Sequence, residues 1–143
     1  MKYVSTRGGV APVRFKDAVM MGLASDGGLM VPDLVPDVSA KLMAWSGLTY
    51  PQLAFEVIRV FCDDIVEDEL RRMTEGSYAG FNHPDVAPLR NVGSLSVLEL
   101  FHGPTFAFKD VALQFLGNLF EFFLKRGNLQ TSITILGATS GDT

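Results

Sequence analysis

The run Leu100-Phe101-His102-Gly103-Pro104-Thr105-Phe106-Ala107-Phe108-Lys109-Asp110 limits what this chain can fold into more than any other stretch. An apolar strand-like run, Leu95 to Leu100, precedes it, and a long apolar helical pattern follows Asp110. Gly103-Pro104 is a turn signal, so the chain leaves a strand, bends, and enters a helix at about Lys109. One lysine thereby stands among Phe106, Ala107 and Phe108 at the positive end of a helix. Apolar burial strips water from an ammonium ion and a helix N-terminus repels it, so both circumstances favour the free amine. A nucleophilic amine is what Schiff-base chemistry requires. The competing reading is a lysine that snorkels to solvent from a helix end. The residue type weakens that reading, because Asp, Ser or Glu is the favourable choice at this position.

The rest of the chain arranges itself on either side of this run. Residues 2–6 read as a short strand, followed by the turn residues Gly8, Gly9 and Pro12. Phe15, Ala18, Val19 and Gly22 recur at helical spacing, predicting a helix over 14–23. Asp26-Gly27-Gly28 breaks it, and Leu29-Met30-Val31 reads as a brief strand closed by Pro32. Ser39 is expected to cap a short helix carrying Leu42, Met43 and Trp45. Thr49-Tyr50-Pro51-Gln52 has the form of a capping box, with apolar residues at Leu53, Val57, Ile58, Val60 and Phe61 behind it. Acidic Glu67, Asp68 and Glu69 ahead of Arg71 and Arg72 predict a helix over 67–78 whose charges complement its dipole. Residues 1–85 therefore read as a small, mostly helical domain.

Pro84 and Pro88 mark the boundary to a second domain over 86–143. Leu89–Val92 and Leu95–Phe101 are expected as strands joined through Gly93-Ser94. The helix over 109–126 is apolar on most of its circumference, the pattern of a helix covered on several sides. Thr131 to Leu136 is β-branched without polar alternation, as in a buried parallel strand. Strand, helix and strand make a right-handed βαβ crossover, and the fold class is α/β.

Composition removes several functions. With 12 basic and 16 acidic residues, a net charge of −4 and no basic cluster, no nucleic-acid partner is expected. Cys62 is the single cysteine, so no intrachain disulfide can form and a reducing, cytoplasmic setting is favoured, with Cys62 a small buried hydrophobe. The first residues are too polar for a signal peptide. The most apolar stretch, Val111 to Leu124, is too short and too interrupted to span a bilayer, so no membrane partner is expected.

A second motif closes the chain: Gly137-Ala138-Thr139-Ser140-Gly141-Asp142-Thr143. A loop of small residues at the carboxyl end of a parallel strand is where open α/β sheets bind ligands, and its amides and hydroxyls can cradle a carboxylate or phosphate. Phe101 to Asp110 paired with Ala138 to Thr143 resembles threonine synthase, a pyridoxal-phosphate family of the fold type II, tryptophan-synthase-β group. Tyr3-Val4-Ser5-Thr6-Arg7-Gly8 with Asp26-Gly27-Gly28-Leu29 is similar to that family's N-terminal domain. The resemblance implies a truncated unit: an N-terminal domain followed by the first βαβ of the cofactor-binding domain.

The resemblance also implies that Lys109 forms the Schiff base with pyridoxal 5'-phosphate and afterwards moves protons. Thr139, Ser140, Gly141, Asp142 and Thr143 would hold the substrate's α-carboxylate, with Asp142 also near the cofactor. The implied reaction turns O-phospho-L-homoserine and water into L-threonine and phosphate, with no metal. Alternatives remain open: another fold-type-II lyase such as a dehydratase or sulfhydrylase, or a non-catalytic relative that binds a small molecule. The turn that holds the cofactor's phosphate in this family lies beyond Thr143, so the chain as it stands is expected to be inactive and to self-associate through apolar edges. Asp110 reads as a helix-start acid, His102 as a turn residue with a satisfied ring, and His83 as solvated. Trp45 reads as core. Arg7 reads either as a phosphate contact or as an exposed salt bridge.

Overall fold

The structure is a computed structural model, and it describes residues 1–127 together with Thr134 and Gly141. The chain divides into two compact units, Met1–Leu48 with Gln52–Arg71 and Thr49–Pro51 with Arg72–Thr143. The strand expected over 131–136 lies outside the described residues.

In the first unit, β1 (Tyr3–Ser5) pairs antiparallel with β2 (Met30–Pro32), with Tyr3 opposite Pro32, Val4 opposite Val31 and Ser5 opposite Met30. The second strand is shifted one residue from its sequence expectation. Leu29 instead bridges Leu23, and its carbonyl accepts the Thr6 N–H. Between the strands lies α1 (Phe15–Met21), shorter than the expected 14–23. Gly22 takes φ +67°, a conformation glycine adopts without strain, and its N–H closes on the Ala18 carbonyl, ending the helix.

The turn between Leu23 and Leu29 is built on one carboxylate. Asp26 accepts the Ser5 hydroxyl at 2.8 Å, the Gly28 N–H at 2.8 Å and the Gly9 N–H at 2.7 Å. A Cβ on Gly28 would lie 2.2 Å from Ser5 Oγ, so only glycine fits there. The two sequence segments Tyr3–Gly8 and Asp26–Leu29 thus meet through their side chains. Arg7 donates from Nη1 to the Asp26 carbonyl at 3.0 Å, lying along Gly27 rather than on a carboxylate.

Beyond β2, Ser39 opens a single 3-10 turn (Ser39–Lys41) that runs into α2 (Leu42–Trp45). Ser39 is not the cap; Asp37 accepts both its N–H and its hydroxyl, because a carboxylate two residues earlier is already in reach. Helix α3 (Tyr50–Phe61) starts directly after Thr49, with Pro51 in the first turn, where a missing N–H costs nothing. Helix α4 spans Glu67–Tyr78, as its charge order predicts. The first unit's core contains Tyr3, Ala18, Trp45, Phe55, Ile65 and Leu70, with Phe55 and Leu70 each 1% exposed. Arg71 lays its guanidinium 4.0 Å above the Phe55 ring. The Tyr3 hydroxyl donates to the Phe61 carbonyl at 2.8 Å, and burial, then Cys62 and Asp64, push its pKa up to about 12. Cys62 is buried, and desolvation followed by the Asp64 charge pushes its thiol up to about 12, so it packs as an inert small hydrophobe.

In the second unit, β3 (Leu89–Val92) and β4 (Leu95–Leu98) form an antiparallel hairpin in the register Leu89 to Leu98 and Val92 to Leu95. Gly93 supplies the positive φ of +61° that a tight hairpin turn requires. The second strand stops at Leu98, short of the expected Phe101. Glu99 still donates to the Pro88 carbonyl, but Pro88 has no N–H to continue the ladder. Helix α5 (Asp110–Arg126) buries Phe115, Leu119 and Phe123 along one face and Asp110 in its first turn, with Leu113 exposed. Half-buried residues lie around the rest of its circumference, Val111, Leu116, Phe120 and Leu124 among them. Polar bonds join it to the end of α4: the Tyr78 hydroxyl donates to the Val111 carbonyl at 3.1 Å, and Asn118 donates to Ser77 Oγ at 2.9 Å. Tyr78 also stands edge-on to Tyr50, with ring centroids 4.9 Å apart. Among the described residues, no helix is long and apolar enough to cross a membrane.

The Asp26 carboxyl is held below its ordinary value first by the Gly28 N–H, then by the Ser5 hydroxyl. A depressed carboxyl stabilises the fold above its unfolded pKa of about 4 and loses that contribution as pH falls through the lower folded value. Asp26→Asn should therefore lower stability at neutral pH and flatten the acid limb below about pH 4. Denaturant unfolding followed by circular dichroism across pH 2–7 is the check; an unaltered acid limb would remove Asp26 from the account.

Candidate active site around Lys109

Between β4 and α5 the chain makes two successive tight turns. The Phe106 N–H closes on the Gly103 carbonyl at 3.1 Å, and the Asp110 N–H closes on the Ala107 carbonyl at 3.0 Å. Phe106 sits at φ +62°, a left-handed conformation that a bulky side chain adopts only at a cost of about 1–2 kcal/mol. The turn is therefore held from elsewhere.

Asp110 holds it. This carboxylate, only 2% exposed, accepts the Thr105 N–H on Oδ2 at 2.8 Å and the Thr105 hydroxyl on Oδ1 at 2.9 Å. A Cβ on Gly103 would lie 2.4 Å from both Asp110 Cβ and Asp110 Oδ2. The glycine thus leaves room for the carboxylate to fold back beneath the turn. The sequence reading of Asp110 as a dipole-complementing acid holds for its place in the first helical turn, but its main bonds run to the preceding loop.

Lys109 is the N-cap residue of α5, with helical φ and ψ and no capping bond from its side chain. Its carbonyl accepts from Leu113 at 2.8 Å, the first full helical bond. The lysine stands at the helix start as expected, half-buried, with Nζ 5.6 Å from the Phe108 ring centroid. The apolar enclosure expected around it differs: Phe106 is 69% and Phe108 56% exposed. The reason is local, since both turns are short and aim these rings outward. Lys109 also borders an apolar pocket of about 350 Å³, lined besides by Leu100, Phe108, Val111, Ala112 and Leu113.

His102 has its ring satisfied, as expected: Nε2 lies 2.7 Å from Glu99 Oε2. Its carbonyl accepts the Asn82 N–H, which ties the loop after α4 to the start of the turn. His83 is half-buried and bonded rather than freely solvated. Its ring is 4.9 Å from that of His102, Nδ1 accepts the Asp85 N–H at 3.1 Å, and Nε2 faces Arg90 at 3.3 Å. The Asn82 bond draws His83 against the hairpin, a long-range consequence invisible in the local sequence. Of the second motif, Gly141 is an exposed bend with φ +103°, whereas Thr139, Ser140, Asp142 and Thr143 lie outside the described residues. Among the described residues, no group of three or more acidic, histidine or cysteine side chains is placed to hold a metal. Sequence reading missed Thr105 and Glu99; the five-residue spacing from Thr105 to Asp110 behind a glycine was the available signal.

Comparison with known proteins bears on this arrangement. A family described as threonine synthase N terminus matches residues 2–78. The chain belongs to the threonine synthase family. Threonine synthase of Schizosaccharomyces pombe is 50% identical over 153 residues, covering all of this chain and 30% of that protein. The Pseudomonas aeruginosa threonine synthase is 49% identical over 147 residues, covering all of this chain and 31% of its own length. A crystal structure of pyridoxal-phosphate-bound threonine synthase from Brucella melitensis superposes with a TM-score of 0.85 at 40% identity, over 90% of this chain and 28% of that one. The chain therefore spans about three-tenths of the length of the curated relatives it matches. The α/β class read from the sequence holds, and the fold is that of the matching part of threonine synthase.

Gly103→Ala should force Asp110 away from Thr105 and destabilise the second unit by about 1–3 kcal/mol, as overpacking of a tight site does. Urea unfolding monitored by tryptophan-independent far-UV signal tests this; a variant as stable as the parent would mean the turn can open without loss.

Proposed function

We propose that this chain serves threonine biosynthesis as part of a pyridoxal-phosphate-dependent threonine synthase acting on O-phospho-L-homoserine. The observation that carries the reading is Lys109: a lysine fixed at a helix start, beside an apolar pocket wide enough for a pyridine ring, within a family member. The pocket and the amine together suit a flat, aromatic aldehyde cofactor.

Lys109 would hold the cofactor covalently through Nζ. When bound, pyridoxal phosphate supplies the electron sink that lets protons leave the substrate's α and β carbons and phosphate leave its γ carbon. Lys109 would also be the base, carrying a proton on Nζ between those carbons. Leu100, Val111 and Leu113 line the pocket with apolar surface, which suits the faces of a flat ring. The resemblance assigns the α-carboxylate to residues 139–143, with Asp142 also serving the cofactor. The domain division at about residue 85 belongs to the same reading.

In the full-length protein, Lys109→Ala should abolish both the borohydride-trapped pyridoxyl adduct and phosphate release from O-phospho-L-homoserine. Peptide mapping after reduction locates the label. Label on Lys16, Lys41 or Lys125 would overturn the assignment. A protein labelled at Lys109 that releases no phosphate would be a cofactor-binding relative without this activity.

A further inference from the structure

We propose that Asp110 is a positioning residue for Lys109, acting through Thr105 rather than on the reacting atoms. For the chemistry, this inference rests on the reading of Lys109 given above; the geometry stands by itself. The lysine is flanked by exposed rings, so neighbouring bulk does not fix its backbone. Three features on one side of it do. The adjacent carboxylate is buried, it takes both polar groups of Thr105, and Gly103 is stripped of any side chain where that carboxylate passes.

The consequence is a closed arch from Gly103 to Asp110 with Lys109 at its foot. The arch carries Phe106 in a left-handed conformation, which persists only where surrounding bonds over-determine it. With the arch closed, the Cα of Lys109 and the helix axis keep one relation, and Nζ reaches the pocket from one direction. With the arch open, the lysine still exists but is presented over a range of directions. Misplacing a reacting group by about 1 Å can cost on the order of a hundredfold in rate.

The chemistry of the clamp suggests how to separate shape from charge. An asparagine at position 110 can accept the Thr105 N–H on its carbonyl and donate its amide to the Thr105 hydroxyl, keeping both bonds without the charge. Alanine keeps neither. At Thr105, serine preserves both bonds and valine loses the hydroxyl one.

The experiment compares Asp110→Asn, Asp110→Ala, Thr105→Ser and Thr105→Val with the parent, all in the full-length protein and under conditions where circular dichroism reports each folded. The first readout is the rate of adduct formation with pyridoxal phosphate at Lys109, by borohydride trapping and peptide mapping. The second needs no cofactor: trace acetylation of Lys109 relative to Lys125, with hydrogen exchange at the Thr105 amide. Thr105→Val should slow the Lys109 adduct about tenfold, change the acetylation ratio severalfold and raise amide exchange about tenfold, whereas Thr105→Ser and Asp110→Asn stay within about threefold of the parent. Asp110→Ala should be the slowest, and if it does not fold, Thr105→Val decides alone. Parent-like adduct rates and acetylation in Thr105→Val would overturn the proposal. So would an Asp110→Asn variant as slow as Asp110→Ala, because charge and not the arch would then be responsible. If the parent protein forms no adduct at Lys109, the functional reading fails, while the acetylation ratio and amide exchange still decide whether Asp110 positions the lysine.

Discussion

The bond pair between Thr105 and Asp110 is the contact on which the start of α5 depends. A buried carboxylate needs partners for its lone pairs, and a two-residue-wide turn offers few. Here a single threonine provides both, one through its backbone and one through its hydroxyl. That economy ties the end of a loop to the first turn of α5, and the helix then inherits a defined starting point. Its buried row Phe115, Leu119 and Phe123 follows at four-residue intervals from that start. A register shift of one residue would turn Asn118 by about 100° away from Ser77.

The same device occurs in the first unit with different residues. Asp26 takes the Ser5 hydroxyl and the N–H groups of Gly9 and Gly28, and Gly28 has no room for a side chain beside Ser5. In both places an aspartate, a small hydroxyl residue and a glycine replace what a larger apolar core would otherwise do. Such contacts are short in range and sensitive to the loss of one methyl group's worth of space. They also place strict demands on the backbone, which explains why glycines crowd the segments Gly8–Gly9, Gly27–Gly28 and Gly103.

Legibility in the sequence followed the range of the interaction. Helix α4 was readable to its ends, since its acidic first turn and its periodicity are local properties. The hairpin turn at Gly93-Ser94 was readable for the same reason. The start of α5 at Lys109 came from Gly103-Pro104 and the change of period. By contrast, the end of α1 depended on the positive φ of Gly22, and the end of β4 on the proline that precedes β3. His83 was misread because the bond that draws it in belongs to Asn82 and His102. The exposure of Phe106 and Phe108 was misread because apolar character was taken for burial. Residue type states a preference for cover and does not say whether cover is there.

The hairpin of β3 and β4 carries a consequence for how such a chain matures. All eight of its residues are exposed on both faces, Leu89, Val92, Leu95, Val97 and Leu98 among them. A lone two-stranded ribbon is marginal in water, because its ladder bonds compete with solvent at every rung. Its amides are therefore among the first to open in a breathing protein, and they set the low end of the local stability spectrum. During synthesis the first unit, with Phe55 and Leu70 sealed, has a core of its own to collapse around before the hairpin leaves the ribosome.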